Sequence, residues 1–175
     1  MKYFTPELWL DFNSGDWASA SKKYDRRLSA YRKHLQNILP RLPRDARRFF
    51  REVCLLHDGT LVRLETGDHI EAQTRKVVSG KAGRQAGVRM LVLTEGGEFT
   101  YALHYKEVVR VQVNFPGEAV LFPISRHANF GDWGYDELSA VTDGIFRHGI
   151  LFSSGATITI DFRKFSFQKM EAQSS

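Results

Sequence analysis

An α+β fold is predicted for this 175-residue chain, with N-terminal amphipathic helices packed on a mainly antiparallel, twisted β-sheet of meander or sandwich type. Three observations predict it. Apolar residues recur every three or four positions over the first third of the chain, the period of a helix with one buried face. From His57 onward they alternate with polar residues, the period of a half-buried strand. Turn signals such as Asp58-Gly59, Glu95-Gly96-Gly97-Glu98 and Ser153-Ser154-Gly155 punctuate the alternating runs at short intervals, as in hairpins rather than helix-linked parallel strands.

The elements follow in chain order. Thr5-Pro6 is a cap and first-turn pair, because proline has no amide hydrogen to leave unsatisfied there. Leu8, Trp9 and Phe12 give a short helix over 6–12 its apolar side, and Asn13-Ser14-Gly15 breaks it. Trp17, Tyr24, Leu28, Tyr31, Leu35 and Ile38 then share one stripe of a long helix. Its other faces carry Lys22, Lys23, Arg26, Arg27, Arg32 and Lys33. Pro40 and Pro43 end it, and residues 44–54 read as a further helix burying Ala46, Phe49, Phe50 and Val53.

In the β-rich part, Leu61, Arg63 and Glu65 alternate against Val62 and Leu64. Residues 79–87 form a basic, glycine-punctuated loop with little to pack. Residues 88–94 and 99–105 make a hairpin, with Phe99, Tyr101, Leu103 and Tyr105 on one face and Thr100 and His104 on the other. Val109, Val111, Val113 and Phe115 place a third strand beside them. The stretch 115–137 is too long for an ordinary hairpin connection and holds Phe115, Phe122, Phe130, Trp133 and Tyr135. Residues 145–152 and 157–162 make the last hairpin, with one wet face. The reading is a single domain over 1–175, helical over 1–55, β-rich over 56–169 and frayed over 170–175.

Charge is unevenly spread. Residues 22–51 hold eleven Lys or Arg against Asp25 and Asp45, a local charge of +9; the whole chain carries +5, which leaves −4 on the remainder. A basic helix of this kind fits phosphates or an acidic protein surface, and equally a solvated face opposite an apolar stripe. The lone Cys54 allows no intrachain disulfide and no thiolate cluster, in keeping with a cytoplasmic location. No apolar run reaches the roughly 20 residues of a membrane span, so no membrane partner is expected.

No catalytic signature stands out. His57-Asp58 has the residue types for a metal ligand pair or an oriented general base, yet His34, His69, His104, His127 and His148 fall at no ligand spacing from it, and a tight turn explains Asp58-Gly59. Gly80-Lys81 lacks the pattern of a phosphate-binding loop, and Ser153-Ser154-Gly155 lacks that of a nucleophile elbow. Cys54 reads as a packed thiol. No cofactor is expected. The aromatic stretch after Phe115 has two readings, a cap on the core or rigid anchors for a partner.

Four blocks, residues 1–9 (MKYFTPELW), 56–59 (LHDG), 134–138 (GYDEL) and 148–155 (HGILFSSG), resemble a small uncharacterised bacterial family, a domain of unknown function. The terminal hairpin and His-Asp turn are also similar, more loosely, to small sheet-type immunity proteins that block a toxin. The resemblance implies a bacterial cytoplasmic protein and carries no catalytic residue. The expectation is therefore a non-enzymatic protein-interaction module, immunity-like in the looser comparison, that binds through Phe130, Trp133 and Tyr135. One alternative is a nucleic-acid or polyanion binder using Lys22, Lys23, Arg26, Arg27, Arg32 and Lys33. The other is an enzyme or metal site around His57, Asp58 and His104.

Overall fold

Helices form where the sequence supplies caps and stops. A computed structural model describes residues 1–13, 15–52, 56–68, 86–115 and 130–171. Helix α1 (Pro6–Asn13) begins at the proline. Helix α2 (Trp17–Ile38) follows Gly15, whose φ of +91° turns the chain, and Asp16, whose carboxylate accepts the Ser19 N–H at 3.1 Å. A 3₁₀ turn, Leu39–Arg41, contains Pro40 and leads to α3 (Arg44–Glu52). Arg47 donates to the carbonyls of Pro40 and Leu42 at 2.9 and 3.2 Å, tying the turn to the helix after it. Tyr31 and Ile38 of the α2 stripe are buried, and Tyr24, Leu28 and Leu35 half-buried. Trp17 departs from expectation: it is 65% exposed and touches only the edge of the packed surface through Phe12. No helix among the described residues is long and apolar enough to cross a membrane.

Among the described residues, eight strands form two antiparallel sheets. The first sheet, ordered β1-β2-β3-β8, contains β1 (Thr60–Asp68), β2 (Ala86–Leu93), β3 (Phe99–Lys106) and β8 (Lys164–Glu171). The second, ordered β4-β7-β6-β5, contains β4 (Arg110–Asn114), β5 (Trp133–Thr142), β6 (Ile145–Phe152) and β7 (Thr157–Phe162). The α+β class is as predicted, and both predicted hairpins form.

Three expectations are corrected. Strand β4 does not neighbour β3: Glu107, at φ +51°, diverts the chain to the other sheet, where Val109 N–H bonds the Asp161 carbonyl at 2.8 Å. The aromatic stretch is not a loop throughout, because residues 133–137 are the start of β5. The C-terminal part is strand as far as Glu171, paired with Phe99, rather than frayed from 170. Val53, Cys54, His69, residues 79–85, Phe122 and His127 lie outside the described residues.

The core lies between the sheets. Val88, Met90, Val92, Leu103 and Tyr105 from the first meet Leu138, Phe146, Ile150, Ile158, Ile160 and Phe162 from the second. Helix α3 fills the seam on one side, with Phe49 against Phe165 and Phe167 and Phe50 against His148. Helices α1 and α2 build a second cluster from Phe4, Leu8, Tyr31 and Tyr135 along β5. At its centre the Tyr31 hydroxyl accepts the Leu138 N–H at 2.8 Å, occupying a backbone donor on the open edge of that strand.

Candidate functional site

The six predicted basic residues all stand on the exposed side of α2, because the aromatic stripe fixes which side is turned in. Lys23 pairs with Asp11, and Arg27 donates to the Lys2 carbonyl at 3.4 Å. Lys22, Arg26, Arg32 and Lys33 form no ion pair with a carboxylate among the described residues. The cations farther along are engaged otherwise: Arg41 with Asp143, Arg47 with backbone carbonyls, and Arg48 over the Phe167 ring. The basic stretch of the sequence therefore divides into engaged cations, Lys23 and Arg27 on α2, Arg41 in the turn and Arg47 and Arg48 on α3, and four on α2, Lys22, Arg26, Arg32 and Lys33, with no carboxylate partner among the described residues.

The aromatic residues after Phe115 are placed inward. Trp133 is 1% exposed. A bulge between Trp133 and Tyr135 puts these two side chains on opposite faces of β5 although they are two residues apart. Tyr135 is half-buried, stacked on Phe4 and edge-on to Trp9. Phe130 is half-buried against Phe115 and Phe152. As folded, Trp133 offers no surface to a partner, whereas Phe130 and Tyr135 remain partly exposed beside the two clusters they pack against.

The histidines separate. His57 Nδ1 lies 2.9 Å from Asp58 Oδ2 in an exposed turn, where Asp58 has φ +61° and its N–H bonds the Trp133 carbonyl. His104 is on β3, in register with Arg89 and Ser166 and on the face opposite the core residues Leu103 and Tyr105, and no hydrogen bond or ion pair joins it to His57 or Asp58 among the described residues. Burial first, then Arg89 and Lys106, holds the His104 imidazole below its ordinary value. No cluster of three or more His, Cys, Asp or Glu among the described residues is arranged to hold a metal.

His148 sits instead in a buried relay. Its Nδ1 is 2.7 Å from the Tyr105 hydroxyl, and its Nε2 is 3.1 Å from Asp136 Oδ2. Trp133 Nε1 donates to the other Asp136 oxygen at 3.3 Å. A neutral imidazole protonated at Nε2 satisfies the chain, with the Tyr105 hydroxyl donating to Nδ1. Because Tyr105 is enclosed, burial pushes its phenol up, and the relay ends inside the core rather than at a reacting group.

A polar groove of about 310 Å³ crosses the outer face of the second sheet. Strand register builds its floor from two cross-strand rows, Glu137, Gly149, Thr159 and Gln112, and Ser139, Arg147, Asp161 and Arg110. Met1, Tyr3 and His34 form a wall. Both Glu137 oxygens accept backbone N–H groups, of Lys2 and of Tyr3. Arg147 donates from Nε and Nη2 to the two Asp161 oxygens at 2.7 and 2.8 Å, a bond that raises its guanidinium further. Neither a protein-family model, nor a curated protein, nor a solved structure matches this chain.

Chemically, the groove offers cations and neutral hydrogen-bonding groups, whereas α2 offers an extended field of positive charge. Sequence reading passed over Arg110, Gln112, Arg147 and Thr159. Their alternation marked a wet sheet face, but only the strand order β4-β7-β6-β5 brings residues 110, 147 and 159 to one place.

Proposed function

We propose that the protein is a non-enzymatic interaction module that docks an acidic protein surface on the outer side of α2. One observation carries the reading: Lys22, Arg26, Arg32 and Lys33 project, without carboxylate partners among the described residues, from a helix whose opposite side is locked by aromatic packing. Opposite charge on a partner would steer encounter and fix register, and a pre-ordered helix pays little entropy on binding. A protein is favoured over a nucleic acid because Tyr24 and Tyr31 face inward, which leaves Trp17, at the first residue of α2, as the one exposed ring of that helix for stacking on bases. Blocking a toxin is one form such a module takes, in line with the looser sequence resemblance.

The test is titration with polyglutamate and, separately, with duplex DNA at low salt. Polyglutamate should bind, weaken as salt screens the charges, and lose at least about tenfold in affinity when Arg26, Arg27, Arg32 and Lys33 are changed to Glu. An equal charge reversal at Arg51, Lys106, Arg163 and Lys164 should cost far less. The thermal midpoint should stay nearly constant, because exposed substitutions usually change stability by about 0.5 kcal/mol or less. Tighter binding of DNA than of polyglutamate, or equal losses in the two variants, overturns the reading.

A further inference from the structure

We infer that the groove on the β4-β7-β6-β5 sheet binds a small molecule carrying a carboxylate or phosphate group, with Arg110 as its principal contact. The carboxylates in and beneath the groove are already committed: Glu137 to two backbone N–H groups and Asp161 to Arg147. Arg147 uses only two of its five N–H donors in that bond. Arg110 forms no ion pair with a carboxylate among the described residues, since Asp161 opposite it is bonded to Arg147, and it donates to the Gln112 side chain, a neutral group that an anion would displace or share. Two guanidinium groups on one row, with the hydroxyls of Ser139 and Thr159 nearby, thus leave an excess of donors over acceptors.

Size and lining agree with this. At about 310 Å³ the groove is at the low end of the roughly 300–1,000 Å³ of small-molecule sites. Met1 and Tyr3 supply an apolar wall for the body of the ligand while the arginine row takes its charged end. The wall also contains His34, whose Nε2 is enclosed without a hydrogen-bond partner among the described residues. The site does not depend on the α2 surface, since none of Lys22, Arg26, Arg32 or Lys33 lines it.

The experiment is an amide-shift titration of the full chain with inorganic phosphate and, separately, with succinate, against chloride at matched ionic strength. Saturable shifts centred on Gln112, Gly149 and Thr159 are expected for at least one of the two. The stronger probe tells whether a tetrahedral or a planar oxyanion is preferred. Arg110→Gln should weaken binding at least tenfold and Thr159→Val severalfold, both with an unchanged thermal midpoint. Charge reversal at Lys22, Arg26, Arg32 and Lys33, none of which lines the groove, should titrate like the parent. Linear, unsaturated shifts with both probes, shifts centred on α2, or an undiminished affinity in Arg110→Gln overturn the inference.

Discussion

Asp136, His148 and Tyr105 come from β5, β6 and β3, and their hydrogen bonds pass from one sheet to the other through the core. The partners are 12 and 43 residues from His148 along the chain, so no local pattern announces them. What the sequence did show was a histidine alternating with apolar residues. Tyr105→Phe removes the donor to His148 Nδ1 and leaves a buried acceptor unmatched, so the unfolding free energy should fall by about 1–3 kcal/mol in urea titration. Gly134 is a second residue whose role rests on contact. A Cβ there would lie 1.6 Å from the Trp9 ring, and Gly134→Ala should lower stability by about 1–3 kcal/mol or more. Trimming Trp9 to Leu in the same chain should recover part of the loss. The tyrosines add a pH prediction. Burial holds the phenols of Tyr24, Tyr31, Tyr105 and Tyr135 above their ordinary value, Tyr135 at about 12. Unfolded phenols release protons near pH 10, so the stabilisation is complete below that pH and is lost as pH rises toward 12. Tyrosinate absorbance from these residues should appear together with unfolding; their ionisation in a still-folded protein would show the rings to be accessible.

Strand β5 shows how an element's surroundings decide its fate. One edge pairs with β6, and the other is closed by α2 through the Tyr31 hydroxyl. Tyr31→Phe keeps the ring and its packing on Phe4 but strips the acceptor from the Leu138 N–H. Hydrogen exchange at Leu138 should accelerate, and stability should fall by about 1–3 kcal/mol; an unchanged exchange rate would mean that water replaces the hydroxyl. Elements were more legible than faces. Helix α2 was readable because the groups on its stripe are three and four residues apart and so meet by local geometry. Strand faces were misread wherever a bulge intervened. Between Leu61 and Arg63 the register shifts, so Leu61 and Leu64 both pack against the core while Val62 is 59% exposed. The bulge beside Gly134 likewise sends Trp133 and Tyr135 to opposite faces, in a stretch the sequence had marked as a connection rather than a strand. A one-residue shift exchanges the two faces, and composition alone does not place it.

At the level of the molecule, the chain crosses between sheets twice, after β3 and again between β7 and β8. Sheet membership depends on pairings made far apart in sequence, which is why two sheets read as one until the strand order was known. The second crossing makes the C-terminal strand integral, since β8 pairs along β3 and brings Phe165 and Phe167 under α3. Removing residues 164–175 should abolish the cooperative thermal transition rather than trim a tail; a variant that melts like the parent would show β8 to be dispensable. The charge pattern belongs to this scale as well, because the aromatic docking of α1 and α2 on β5 turns a run of basic residues into one outward surface.

That docking has an optical consequence. The three tryptophans of the chain occupy three distinct settings: Trp17 in solvent, Trp133 in the inter-sheet core, and Trp9 across Gly134 at the joint between helix and sheet. Iodide should quench Trp17 first. With Trp17 and Trp133 both replaced by Phe, the remaining emission would report the joint alone, and with Trp9 and Trp17 both replaced, the core alone. Detachment of the helical layer and melting of the sandwich could then be followed as separate spectral events without an added dye.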